Sequence, residues 1–454
     1  MAFLGTIAAF IVTLGILVVI HELGHYWVAQ RCGVKVLRFS VGFGRPLARW
    51  VRGPDRTEWV IAAIPLGGYV RMLDERDDDQ GPIRAADLPR AFNRQPVSKR
   101  IAIVLAGPLA NLLLAIGVYW GMNIAGVMEP RALLSPPTAG TPAARVGLSG
   151  GDLIVAIDGE AVRSWQDVNW LILQRAVDRA QVDIDVRSEG GSTRRLLLDL
   201  SGLGPEDMEG NPLPRIGLAL WSGPPRIGRV AEGGAAQRAG LQSGDRVLEV
   251  SRMPVASARH LIDRIRSSPG QSLDLLVERD GRPITLTVTP QSVREETGKS
   301  GTREVGRIGA ELGERPEMIR VHHGPIESLG LAVRKTWDMT VFSLRMLGKM
   351  IVGEASWKNL SGPITIADYA GKSASIGVAA YLSFLALVSI SLGVLNLLPI
   401  PMLDGGHLVY YLIEIVKGSP PADWFVEWGQ RAGIGLLVML TALALFNDIS
   451  RLLS

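Results

Sequence analysis

The chain has 454 residues, 47% of them hydrophobic and 20% charged, with a mean hydropathy of +0.21 and a formal net charge of +4. It is too long for one ordinary domain and too apolar for a wholly soluble protein, so several membrane segments joined to soluble parts are expected. The small net charge, with arginines dispersed and no interleaved aromatics, argues for no nucleic-acid partner. Cys32 is the single cysteine, which excludes intrachain disulfides and Cys-rich zinc or redox motifs, so any metal must be held by His, Asp or Glu.

The uncharged run Ala2 to Ile20 leads directly into His21-Glu22-Leu23-Gly24-His25. The run lacks a basic n-region, exceeds the usual h-region and has no small-residue cleavage site, so it reads as a retained anchor. Two histidines at i and i+4 project from one helical face and can share a tetrahedral metal. The glutamate after the first is placed to take a proton from metal-bound water. The preceding helix is long enough for about 30 Å of hydrocarbon, which puts this chemistry inside or beside the membrane. A functionless Glu22 there would cost roughly 2.5 to 3.5 kcal/mol, which argues against an incidental carboxylate.

Three further segments qualify as spans: Ile101 to Met122, Val378 to Leu398 and the shorter Ala432 to Phe446. The connection after the first span carries Arg31, Lys35, Arg38, Arg45, Arg49, Arg52, Arg56, Arg94, Lys99 and Arg100, which predicts a cytoplasmic location. The amino terminus, the long region between spans two and three, and the carboxyl terminus are then expected outside. The acidic run Asp74 to Asp79 reads as a solvated loop rather than a cation site.

In the outer region Gly147-Leu148-Ser149-Gly150-Gly151-Asp152 recurs as Gly240-Leu241-Gln242-Ser243-Gly244-Asp245, a spacing of one small domain. Each copy has an Ala-rich turn before it and a β-rich run after it. Together they resemble the circularly permuted PDZ domains of bacterial proteases, over Val127 to Leu220 and Pro224 to Leu312. After the second hexad Ser251-Arg252 replaces Asp158-Gly159, so a different turn and unequal ligand binding are expected. PDZ grooves accept an extended peptide or chain terminus as an added strand; exclusion of bulky proteins is the favoured role and is compatible with terminus capture. His322-His323, with no paired acidic motif, read as surface residues. Leu329 to Met350, with Arg334, Lys335, Arg345, Lys349 and nearby Trp337 and Trp357, suits helices at the outer interface. Leu360 to Ile364 marks a turn.

Zinc needs a third protein ligand. The strongest candidate is Asp404, in Asn396-Leu397-Leu398-Pro399-Ile400-Pro401-Met402-Leu403-Asp404-Gly405-Gly406, where two prolines interrupt the helix and allow irregular backbone at membrane depth. Two imidazoles and a carboxylate leave a fourth position for water. His407 adjoins Asp404, but a ligand role for it would be redundant.

Taken together, these motifs resemble the site-2 protease family of intramembrane zinc metalloproteases over nearly the whole chain. The resemblance implies a polytopic α-helical membrane protein of four transmembrane helices, two inserted periplasmic PDZ-like α/β domains and a membrane-associated β-hairpin region containing Gly42-Phe43-Gly44 and Gly67-Gly68-Tyr69-Val70. It implies Zn2+ held by His21, His25 and Asp404, Glu22 as general base, and Asn396 with Gly67, Gly68 and Tyr69 as substrate-binding residues. It further implies a bacterial inner membrane with the active site toward the cytoplasm, and a single-span substrate cut within the bilayer after a first external cut, remnant signal peptides being a second class. Leu360 to Ile364 would border the substrate entrance. The competing readings are an inactive membrane-tethered PDZ adaptor and a metal transporter; the latter requires further intramembrane acids, whereas only Glu22 is clear.

Overall fold

The computed structural model describes residues 2–77, 83–178, 180–188, 190–204, 207, 211–255, 257–296, 302–313 and 316–453. The chain divides into two compact units, Met1–Val127 with His322–Ser454, and Met128–Val321. Helices of the first unit are numbered here: α1 (Ala2–Arg31), α2 (Val97–Ala125), α3 (Pro325–Ile351), α4 (Pro363–Ile376), α5 (Val378–Leu397), α6 (Asp404–Lys417) and α7 (Asp423–Leu453). Of these, α1, α2, α5 and α7 are long and apolar enough to cross a membrane. The fourth expected span is only the apolar centre of α7. Its charged ends are accommodated by partners such as the Arg431–Glu427 pair, one helical turn apart.

α1 ends in a Schellman motif. Gly33 adopts φ +83°, its N–H donates to Gln30 O, and the N–H of Val34 donates to Ala29 O, with Ala29 and Val34 both buried. α1 and α2 meet through small residues. A Cβ on Gly24 would lie 2.3 Å from Ala106 O and 2.8 Å from Ala110 Cβ. On the other side of α2, Ser389 of α5 donates to Asn111 O at 2.7 Å, and Gly393 faces Pro108 O. Backbones this close are possible only because these positions carry little or no side chain.

The segment expected to form interfacial helices is one continuous helix, α3, packed along the bundle. It buries Ser328, Ala332, Thr336 and Met350, and Ala332 joins Ala115, Tyr119, Ala386 and Ile390 in one core. Its outward side leaves Ile326, Val333 and Trp337 exposed. The face turned to the bundle is thus made chiefly of small and polar residues, while the larger apolar residues point outward. The turn at 360–364 is held by α7. Asp448, 1% exposed, accepts from the N–H groups of Gly362, Ile364 and Thr365 and from the Thr365 hydroxyl, at 2.6 to 3.0 Å. It therefore does for α4 what an N-cap side chain does for its own helix.

Between α1 and α2 the chain forms strands β1 (Val36–Arg52) and β2 (Thr57–Met72). Their register is more than a hairpin. Arg38, Phe39, Ser40 and Val41 each face two residues, Arg71 and Glu58, Val70 and Trp59, Tyr69 and Val60, and Gly68 and Ile61 respectively. The runs therefore lie in the order 48–52, 57–61, 36–41, 68–72, with 68–72 at one edge. Tyr26, Phe39 and Trp59 lock this sheet to α1. The acidic run that follows is cross-linked by cations: Asp74 pairs with Arg76, Glu75 with Arg94 and Asp77 with Arg71. Asp78 and Asp79 lie outside the described residues.

The second unit holds two β modules. One sheet runs Glu160–Ala161, Leu153–Ile157, Gln181–Arg187, Thr193–Asp199; the other runs Arg282–Val288, Leu273–Arg279, Arg246–Val250, Arg226–Val230, Ala310–Gly313. Each is accompanied by a helix, Trp165–Val177 and Ala258–Arg266. The repeated hexad is a structural turn in both. Asp152 and Asp245, nearly inaccessible, accept from the N–H of Ser149 and of Gln242 at 2.9 Å and pair with Arg194 and Arg279. The turn after the second strand is not different, as the sequence suggested. Ser251 and Arg252 take φ of 49° and 64°, beside 48° and 76° at Asp158 and Gly159. The strand-to-strand connection demands this left-handed pair, and a non-glycine residue is forced into it at Arg252.

Candidate active site

α1 carries His21, Glu22 and His25 on adjacent turns. Opposite them, the chain leaves α5 through Leu398-Pro399-Ile400-Pro401, turns with Met402 at φ +85°, and re-enters helix at Asp404. The two glycines after Asp404 are required by this turn: a Cβ on Gly405 would sit 2.1 Å from Leu398 O, and one on Gly406 2.5 Å from Ile400 O. The prolines end one helix and the glycines seat the next directly on the break, so Asp404 faces the α1 histidines. Farther along α6, Glu414 pairs with Arg100 of α2 at 2.6 Å, and the Arg100 guanidinium lies over the Tyr411 ring, which ties α6 to α2.

The three side chains converge. Asp404 Oδ2 is 3.2 Å from His21 Nε2 and 3.5 Å from His25 Nε2, and the two Nε2 atoms are 3.2 Å apart. Oδ2 is buried and no hydrogen bond reaches it. His25 Nδ1 donates to Ile103 O at 2.8 Å, which leaves the Nε2 lone pair pointing at the same spot. Three lone-pair donors with an orphaned carboxylate oxygen among them fit a cation of the zinc type, and two histidines with one carboxylate are a donor set of catalytic zinc. Gly107 of α2 makes room for the rings, since a Cβ there would lie 2.2 Å from His25 Nε2 and 2.8 Å from His21 Cε1.

A cavity of about 810 Å³ opens onto this cluster. Glu22 lines it and is 8% exposed. Asn396, Gly67, Gly68 and Tyr69 line the same cavity, so every residue singled out from the sequence as catalytic, metal-holding or substrate-holding falls in one place. Gly68 packs so closely that a Cβ would meet Ser40 O at 2.7 Å and Glu22 Cγ at 3.1 Å. His407 stands apart from the metal cluster and stacks edge-on with Tyr410. His322 is exposed, whereas His323 does have an acidic partner, Glu327 at 3.0 Å one turn along α3. The turn at 360–364 is not among the cavity-lining residues. Sequence reasoning passed over the part of α2 that backs the histidines: Ile103, Gly107 and Asn111. A glycine-proline pair and an asparagine inside an apolar span were the available signal.

A buried His-Glu-x-x-His pair completed by a distant aspartate, at the end of a bilayer-length helix, defines a membrane metalloprotease. The pattern of Peptidase family M50 matches residues 9–440. A Ralstonia nicotianae protein named as a zinc metalloprotease is 45% identical over 98% of both chains, and the regulator of sigma-E protease RseP of Escherichia coli is 41% identical over the full length of both. Protease RseP of Yersinia pestis is 42% identical, also over both full lengths. The chain belongs to the M50, or site-2 protease, family: it is a zinc-dependent, multi-pass protease of the inner membrane.

Proposed function

We propose that His21, His25 and Asp404 hold the zinc ion, that Glu22 is the general base, and that the substrate is a single-span membrane protein cut within the bilayer. The observation that carries this reading is the approach of two imidazole nitrogens and one unpartnered carboxylate oxygen to a common point. Zinc bound there lowers the pKa of a water to about 7 and polarises a carbonyl. Glu22, one residue from a ligand and lining the cavity, takes the proton from the attacking water and hands it to the leaving nitrogen. A helical substrate hides its peptide bonds, so it must be drawn out before attack. The 68–72 run is a sheet edge lining the cavity, where an added strand would pair, and Asn396, which lines the same cavity, would hold the extended chain.

The arginine-rich segment between α1 and α2 supports a cytoplasmic position for the active site and a periplasmic position for residues 128–321. The name of the Escherichia coli relative supports a part in sigma-E control; the family resemblance adds an anti-sigma factor, trimmed outside beforehand, as the substrate, with remnant signal peptides as a second class. The two β modules, which we read as PDZ-like, would act as a filter against untrimmed substrates and as a site for peptide termini. The test is cleavage of a reconstituted single-span substrate by zinc-loaded wild type and by Glu22→Gln. Wild-type product with loss in the variant is expected. Equal product from both rejects Glu22 as the base, and no product from zinc-loaded wild type favours an adaptor.

A further inference from the structure

The two metal-facing histidines are not supported alike. His25 has its tautomer fixed by a backbone carbonyl, which can only accept. His21 has instead the Asn111 side chain, whose Nδ2 lies 3.3 Å from His21 Nδ1. Asn111 is fully buried, and its Oδ1 has no hydrogen-bond partner. Its backbone is fixed as well, because Ser389 of α5 donates to Asn111 O.

Consider what each amide orientation does to the ring. With the NH2 group donating to Nδ1, neutral His21 must carry its proton on Nε2, the atom 3.2 Å from Asp404 Oδ2, and no lone pair is left for a metal. With the amide turned by half a revolution, the carbonyl occupies the same volume, accepts the proton of Nδ1–H and leaves Nε2 bare. That orientation pairs Oδ1 with the ring N–H and gives His21 the tautomer a metal ligand needs. Metal-ligating histidines characteristically donate their other ring N–H to such an acceptor.

We propose that Asn111 is a positioning residue for the metal site: in the zinc-loaded protein its side-chain carbonyl accepts from His21 Nδ1–H and holds the Nε2 lone pair on the ion. The inference rests on the ligand set proposed above, and its test separates the two. Zinc affinity is measured by chelator competition on full-length wild type, Asn111→Asp and Asn111→Leu in detergent, alongside nitrogen-15 spectra of histidine-labelled, zinc-loaded wild type, with His21 assigned by substitution. Asn111→Asp keeps an acceptor and should hold zinc as well as wild type. Asn111→Leu, similar in size but unable to accept, should lose about 10- to 100-fold. The His21 signal should show a protonated Nδ1. An Asn111→Leu affinity within twofold of wild type, an equal loss in Asn111→Asp, or a bare His21 Nδ1 would each overturn the proposal. Wild type that binds no zinc would instead refute the ligand set. Should Asn111→Leu fail to fold, the wild-type spectrum decides by itself.

Discussion

Gly107→Ala is the smallest change that reaches the metal site from behind. The added methyl would stand 2.2 Å from His25 Nε2 and 2.6 Å from Cε1, where ordinary contact begins near 3.4 Å, so the imidazole must retreat by about 1 Å. α2 cannot yield instead, because Gly24 already holds Ala106 O at van der Waals contact and Gly393 lies against Pro108 O. Misplacing a reacting group by about 1 Å costs on the order of 100-fold, which is about 2.7 kcal/mol of transition-state stabilisation. We therefore expect kcat/KM on a reconstituted single-span substrate to fall by about that factor, with weaker zinc retention against a chelator. Gly117→Ala, on the same helix with nothing within 4 Å, is the control. It should keep activity and gain up to about 1 kcal/mol in stability from helix propensity. Wild-type zinc affinity and activity in Gly107→Ala would refute the close packing of α2 on the ligands.

Three other perturbations test the scaffold. Arg100→Met should destabilise the membrane unit by about 3 to 5 kcal/mol, since it strands the buried Glu414, while adding Glu414→Leu should recover most of the loss in thermal unfolding; additive losses would contradict a coupled pair. Arg252→Gly relieves a left-handed arginine and should raise stability of the second β module by about 1 kcal/mol in denaturant titration; no gain would mean the strain is absent. Burial pushes the Asp245 carboxyl up, but Arg279 and the Gln242 N–H outweigh it and hold its pKa below the ordinary value. Its folded pKa is thus the lower one, so its stabilising effect is present above the unfolded value, near 3.9, and is lost as pH falls through the folded value. Arg279→Met should therefore move the acid unfolding of that module, followed by amide exchange, to higher pH; an unchanged midpoint would remove the pair from the account.

Local features were legible in order along the chain. An uncharged run of bilayer length, a His-Glu-x-x-His spacing and a proline-broken segment ending in Asp-Gly-Gly are each written in a few consecutive residues, and their meaning follows from helix period, side-chain chemistry and the missing N–H of proline. The repeated hexad was legible as a repeat, but its job as a turn tied by Asp245 to Arg279 was not, because the arginine comes from a distant strand. The same limit explains α3. Its Ala332 meets the α2–α5 face while the larger Ile326, Val333 and Trp337 stay exposed, a division that periodicity alone does not assign.

By itself the sequence determined which residues are able to hold zinc and move a proton, because those abilities belong to side chains. Only the tertiary structure decided that Asp404 reaches His21 and His25, that β1 and β2 interleave into four runs with 68–72 at an edge, and that Asn111 stands behind His21. The contacts among α1, α2 and Asp404 depend on helices approaching through Gly24 and Gly107 to distances that a single methyl group would forbid. Such an approach is a property of surfaces meeting between segments far apart in the chain, and no local pattern encodes it.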